Sequence, residues 1–225
     1  MFEYKTFERE MDLRLNTDVN FDIIKRNLLI GERNSVLYFI DGFIKDEVFE
    51  KMLEYLFKQT PEELKSISDI SEFSLNKMPY VEVDFTYDTD TAVNSVLSGP
   101  AVLIVDGIKG ALIIDTRTYP SRSTEEPQKD KSLRGSRDGF VETLIMNTAL
   151  IRRRIRSENL RMEYMSVSSN SKLDVAISYI DGLADKKTLA NLKKALKNLK
   201  LKSISMTTEA LSEALIHNNF FNPFP

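Results

Sequence analysis

The sequence predicts an α/β (α+β) fold of two small lobes, each a mixed sheet flanked by helices. Three features predict it. First, apolar residues recur at helical spacing in some stretches and at strand spacing in others. Val48, Phe49, Met52, Leu53, Leu56 and Phe57 make one helical face, whereas Val81, Val83 and Phe85 alternate with polar residues. Second, a strand closing on Asp-Gly and leading into a helix occurs at Asp41-Gly42 and again at Asp181-Gly182, and Val105-Asp106-Gly107 ends a third strand. Glycine supplies the positive φ of such a turn and aspartate bonds local amides. Third, a long polar stretch divides the chain. The expected division is a first lobe over 1–119, a connecting loop over 120–138, a second lobe over 139–216 and a tail over 217–225.

Taken in order, residues 1–15 mix charge with Phe2, Phe7, Met11, Leu13 and Leu15 and read as an arm. Asn16 or Thr17 caps a short helix carrying Val19, Ile23, Ile24 and Leu28, ended by Gly31 and Asn34. Ser35 to Ile40 is a buried strand, and a helix runs from Asp46 to about Lys58. Pro61 opens a short helix through Ile67, and 68–79 reads as loop with one further turn. Tyr80 to Tyr87 is a half-buried strand with Val81, Val83 and Phe85 inward. Asp90 or Thr91 caps a helix ended by Gly99-Pro100, and Ala101–Val105 pairs with Ala111–Asp115 as a hairpin.

After the polar stretch a helix is expected from Gly139 to Arg156, burying Phe140, Leu144, Ile145, Thr148, Ile151 and Ile155. Arg161–Ser168 and Lys172–Ile180 are two strands. A helix from Asp185 to Leu199 turns Leu189, Leu192, Ala195, Leu196 and Leu199 inward and its lysines outward, where they read as a solvated face or a contact for anionic lipid. A strand over 201–206 and a helix to Ile216 complete the reading.

Composition narrows the function. A chain of 225 residues buries a substantial core. Its net charge of -3 argues against a general nucleic-acid binder. Cysteine is absent, which removes disulfides and thiolate chemistry. Met1 to Glu10 lacks the apolar core of a secretory signal, and no apolar run approaches the roughly eighteen residues of a membrane span. No phosphate-cradling glycine loop is present. His217 is the only histidine, without a nucleophile-elbow motif to accompany it. Ser169 and Lys172 match a two-residue pattern that arises by chance, and Asp84, Asp88 and Asp90 lack calcium-loop spacing. No catalytic, cofactor-binding or metal residue is assigned, and an enzyme is the least favoured class.

The polar stretch carries the specific signal. Arg117, Arg122, Arg134 and Arg137 are interleaved with Glu125, Glu126 and Glu142, and the helix that follows closes on Arg152, Arg153 and Arg154. Arginine suits planar, bidentate contact with carboxylates. Exposed pairs contribute only about 0.2–1 kcal/mol each. So dense a set therefore reads as ion pairs buried between lobes or as contacts to another chain.

The run Arg117, Pro120, Arg122, Glu125-Glu126-Pro127, then Arg134-Gly135-x-Arg137-x-Gly139-Phe140, resembles the spore germination receptor A-subunit family, the GerA family. So does its continuation through Glu142, Asn147, Leu150 and Ile151 to Arg152-Arg153-Arg154-Ile155, with Leu160 after it. Weaker matches reach Leu97-Ser98-Gly99 and Val175 to Gly182, so that the resemblance covers roughly 81–216. It implies two α/β subdomains in a soluble N-terminal domain, with a membrane bundle following in the family. It also implies a complex of A, B and C subunits in the spore inner membrane; the lack of a secretory signal and of cysteine points this domain to the cytoplasmic (spore core) face. The role expected from it is receptor assembly and signal coupling, with B, C and other A subunits as partners. The alternative is a small-ligand module using the cleft between lobes, as solute-binding proteins do.

Overall fold

The computed structural model describes residues 3–118, 140–167 and 173–198. The expected strand at 201–206, the last helix and His217 lie outside them. The described elements are α1 (Tyr4–Leu15), β1 (Ile23–Ile30), β2 (Arg33–Ile40), α2 (Asp46–Phe57), α3 (Pro61–Leu64), α4 (Ile70–Lys77), β3 (Val83–Thr86), α5 (Thr89–Ser98), β4 (Ala101–Val105) and β5 (Ala111–Ile114). After the polar stretch come α6 (Leu144–Arg154), β6 (Leu160–Val167), β7 (Leu173–Ile180) and α7 (Lys186–Lys197). The fold is α/β, with sheets flanked by helices, as the sequence predicts. Within that class every pairing among the described strands is antiparallel.

The larger sheet has the order β1-β2-β4-β5-β3. Helices cover both faces, so successive residues of its central strands are buried on opposite sides. Leu103 and Val105 of β4, with Leu37 of β2, join α2, α3 and α4 in one core. Val102 and Ile104, with Val36, Tyr38 and Ile40, join α1, α5 and Ala149 of α6 in the other. The unbroken apolar run at 101–105 is thus a strand covered on both faces. The smaller sheet pairs β6 with β7, and α7 packs on it through Leu196, Val167 and Ile177.

The Asp-Gly echo marks a repeated unit. In both halves a helix precedes two eight-residue strands paired end to end, an Asp-Gly turn and a twelve-residue helix. Asp41 donates its amide to the Asp22 carbonyl at 2.8 Å, and Asp181 donates to the Asn159 carbonyl at 2.8 Å, closing each hairpin alike. Gly42 (φ 82) and Gly182 (φ 87) both take the left-handed turn. In the first half β4, β5 and β3 extend the hairpin into the five-stranded sheet.

Several sequence expectations are corrected. Residues 4–15 are not an arm but a helix whose Phe7, Met11 and Leu15, four apart, are buried in the core. Where a helix carrying Val19 to Leu28 is expected, Ile23–Ile30 is strand β1 and the residues before it form turns; Gly31 and Glu32 both take positive φ and make a two-residue hairpin turn into β2. Glu32 is a rare occupant of that conformation, which hid the turn. The loop at 68–79 contains α4, capped by Asp69, which accepts from the Ser71 amide at 3.0 Å. Strand β3 is an edge of four residues; Val83 packs against the core as expected, but Phe85 is exposed, Thr86 is buried, and Val81 lies exposed ahead of the strand. Asp88, not Asp90 or Thr91, caps α5 through the Thr91 amide at 2.8 Å. Helix α6 opens at Leu144 and not at Gly139, leaving Phe140 exposed, and its buried face is Thr148, Ala149 and Arg152. In α7 only Leu196 is buried among the described residues, since a two-stranded sheet offers little surface to cover.

Candidate functional site

The joint between the two repeated units is built from residues 20–22, α6 and the α6–β6 turn. Helix α6 lies close over the Asp41-Gly42 turn. A Cβ placed on Gly42 would stand 3.1 Å from Ala149 Cβ and 3.1 Å from Ile145 Cγ2. One helical turn beyond, Arg152 enters the interior with no solvent exposure. Its Nε donates to Asp22 Oδ2 at 2.8 Å and its Nη2 to Asp22 Oδ1 at 3.1 Å, a bidentate pair whose carboxylate is 1% exposed. Nη1 donates to the Ser157 carbonyl at 3.4 Å. A charge buried this completely requires a partner, and the fork of guanidinium N–H groups matches the carboxylate in geometry.

Two further ties flank that pair. Asn20, buried, donates Nδ2 to the Leu15 carbonyl at 2.7 Å and accepts the Met162 amide of β6 at 2.8 Å. The Phe21 amide donates to the Met162 carbonyl at 3.1 Å. Arg14 of α1 donates to both Glu158 oxygens, at 2.9 and 2.5 Å, and pairs with Asp90 at the start of α5. Hydrogen bonding from Arg14 holds the Glu158 carboxyl below its ordinary range despite partial burial, and the same bonds raise Arg14.

The remaining charged clusters pin helices to sheets. Lys25 of β1 meets Glu8 at 2.8 Å and Asp12 at 2.6 Å, and Tyr38 donates to Asp12 Oδ1 at 2.9 Å. Burial opposes the Lys25 charge, but the Asp12 and Glu8 hydrogen bonds outweigh it and raise the pKa. In the second unit Tyr179 and Lys193 both donate to Glu163, at 2.5 and 2.6 Å, fixing α7 to the β6–β7 sheet.

The ten charged residues picked out from the sequence fall in different places. Arg122, Glu125, Glu126, Arg134 and Arg137 lie outside the described residues. Arg117 sits where the polar stretch leaves the first sheet. Its Nε donates to Asp115 at 2.6 Å and its Nη1 to the Ser98 carbonyl at 3.2 Å. That pairing holds the Asp115 carboxyl below its ordinary range. Gly99 leaves room for it: a Cβ there would stand 2.6 Å from Arg117 Cδ, and φ is +115°. Glu142 is exposed ahead of α6. Arg152 is the buried anchor, while Arg153 is half-buried and Arg154 exposed. Sequence reasoning missed Asp22, Asn20, Arg14 and Glu158. None of the four carries a local signal: Asp22 precedes only Ile23 and Ile24 before Lys25 and Arg26.

No group of three or more His, Cys, Asp or Glu able to hold a metal occurs among the described residues. Asp88 caps a helix, Asp90 pairs with Arg14, and Ser169, Lys172 and His217 lie outside the described residues. A cavity of about 280 Å³ is lined by Val48, Lys51, Met52, Tyr55, Met78, Pro79 and Tyr80. It lies beside α2 and the segment entering β3, within the first unit. Among the described residues no helix is long and apolar enough to cross a membrane.

The family model described as Bacillus/Clostridium GerA spore germination protein matches residues 10–225. The chain belongs to that family. The resemblance read from the Arg117–Ile155 stretch therefore holds, and the match extends back to residue 10. Stage V sporulation protein AF of Bacillus subtilis is 34% identical over 217 residues, 94% of this chain and 43% of that protein. Spore germination protein KA of the same organism is 31% identical over 91% of this chain and 38% of its own length. The chain thus spans about two fifths of these relatives. The N-terminal domain of the A subunit of the Bacillus megaterium spore germinant receptor GerK3, solved by crystallography, has the same fold. Its TM-score is 0.65 and its identity 25%, covering 95% of this chain and 79% of that one.

Proposed function

We propose that this chain forms the N-terminal domain of an A subunit of a spore germinant receptor, acting in receptor assembly and signal coupling and not in catalysis. The observation that carries the proposal is its likeness, over 95% of its length, to the N-terminal domain of the GerK3 A subunit. The interleaved Arg and Glu residues from Arg117 to Glu142, with Arg153 and Arg154, supply contacts to B and C subunits and to other A subunits. Arg152 ties the helix that follows this stretch to the first sheet, so load on the stretch reaches both repeated units. On this reading the two lobes divide within 120–138. The full-length protein sits in the spore inner membrane with this domain on the cytoplasmic, spore-core face. A relative 31% identical over 95% of this chain is named a membrane protein, which supports the membrane setting.

A second reading places the domain in the setting of Stage V sporulation protein AF, on the strength of the 34% identity. Capture of the tagged full-length protein from spores separates the two. Recovery of receptor B and C subunits supports the first; their absence overturns it. Within the first reading, Arg134→Glu combined with Arg137→Glu should abolish nutrient germination while the isolated domain melts as the wild type does. Unimpaired germination would remove the loop from signal coupling. Binding of a small ligand between the lobes is tested by thermal shift, because a ligand of the folded state raises its stability.

A further inference from the structure

We propose that the lysine face of α7 is a docking surface for an anionic lipid bilayer. Between Lys186 and Lys197 the helix carries five lysines and no acidic residue, in a chain whose net charge is -3. The face is therefore a local concentration of charge and not a sample of a basic protein. At about 100° per residue, Lys186, Lys187, Lys193, Lys194 and Lys197 fall within one third of the helix circumference. Lys193 is spent within the fold on Glu163 and Tyr179. Lys186, Lys187, Lys194 and Lys197 are exposed and have no ion pair among the described residues.

The helix is held as a platform. Asp185 caps it by accepting the Thr188 amide at 2.8 Å, and the Lys193–Glu163 contact fixes its rotation, so Lys187 and Lys194 lie opposite the Leu189 and Leu196 side that packs on the β6–β7 sheet, while Lys186 and Lys197 flank Lys193 at the edge of that packing, all four exposed. Directly before the helix stands Leu183, 83% exposed, at the end of the Asp-Gly turn. Lysines that reach lipid headgroups beside a leucine that reaches the acyl boundary are the chemistry of an interfacial contact. A nucleic acid offers the lysines the same charge but gives the leucine nothing to enter. The repeat sharpens the point: the equivalent helix α2 carries Asp46, Glu47, Glu50 and Glu54 against Lys51 alone. The basic face thus belongs to one copy of the unit and is not required by the unit's fold.

The test is flotation of the 225-residue chain with vesicles of phosphatidylcholine alone and of equal parts phosphatidylcholine and phosphatidylglycerol. The chain should float with the anionic vesicles only, and added salt should release it, since screening shortens the reach of exposed charge. Replacing Lys186, Lys187, Lys194 and Lys197 together by Gln should weaken binding by about a hundredfold or more. The same charge change at the exposed Lys45, Lys51, Lys58 and Lys65 should leave binding within a few fold. Wild-type protein that ignores anionic vesicles overturns the proposal, whatever the variants do. So does equal loss in both sets, which would mean a response to net charge alone. Binding to a DNA duplex without binding to vesicles would assign the face to nucleic acid and overturn it as well.

Discussion

Replacing Asp22 by Ala should cost the fold about 3–5 kcal/mol, the range for breaking a fully buried ion pair from one side. The geometry sets the size. Arg152 has no exposure and Asp22 has 1%, so water cannot replace the lost carboxylate without opening the joint. Two of the guanidinium's three described hydrogen bonds go to Asp22, and only the longer one, to the Ser157 carbonyl, would survive. Urea unfolding followed by circular dichroism measures the loss, which should appear in melting as a fall of roughly 10 °C for a chain of this size. The double variant Asp22→Leu with Arg152→Met should regain much of the stability, because removing both charges also removes their desolvation cost. An Asp22→Ala loss below about 1 kcal/mol, the scale of an exposed pair, would refute the reasoning. It would mean that the joint is wet and that α6 is not held by this contact.

Two other perturbations test the joint independently. Gly42→Ala should destabilise by about 1–3 kcal/mol, and Gly182→Ala by clearly less. Both glycines have similar positive φ, but only Gly42 is crowded by α6, whereas among the described residues no atom lies within 4 Å of a Cβ on Gly182. Equal losses in unfolding measurements would leave the close approach of α6 without energetic weight. The Arg14–Glu158 contact predicts a pH dependence. The folded Glu158 carboxyl lies below its unfolded value of ~4.3, so its contribution is complete above that value and is lost as pH falls through the lower folded value. The stability gap between wild type and Glu158→Gln should therefore be constant near neutrality and shrink on acidification; a gap that widens would contradict the assignment.

What the sequence revealed of the fold follows from which signals were local. Helices α2 and α5 and strands β4 and β5 were legible because their apolar spacing and their Gly or Pro ends lie within a few residues of one another. Strand β1 was not, because Val19, Ile23, Ile24 and Leu28 also satisfy a helical period; the pairing that decides the matter lies in β2 and in the positive φ of Gly31 and Glu32. The extent of β3 is non-local in the same way: alternation over 80–87 reads as one long strand, but only Val83–Thr86 pairs with β5, so Val81 falls outside it and stands exposed. The candidate site divides the same way. The polar stretch stood out by composition. Asp22, Asn20 and Glu158 were invisible because their partners are 130, 142 and 144 residues away in the chain.

The Arg152-Arg153-Arg154 run shows what composition alone leaves merged. Read as a motif it is one basic patch at a helix end, favoured there by the helix dipole. On a helix, however, consecutive side chains diverge by about 100°, so three adjacent arginines cannot share a face. Helix α6 turns Thr148, Ala149 and Arg152 toward the first sheet, and Arg153 and Arg154 are then carried off that face. A single helix end thereby has duties that the sequence merged: one arginine is a buried structural anchor, one is half-buried and one is exposed. The duties are separable by experiment. Charge reversal at the exposed Arg154 should cost at most about 1 kcal/mol, the scale of an exposed pair, whereas any loss of Arg152 takes the joint with it. A subunit-contact role for the run therefore has to be tested at Arg153 and Arg154 alone, because a defect from Arg152 would report the fold.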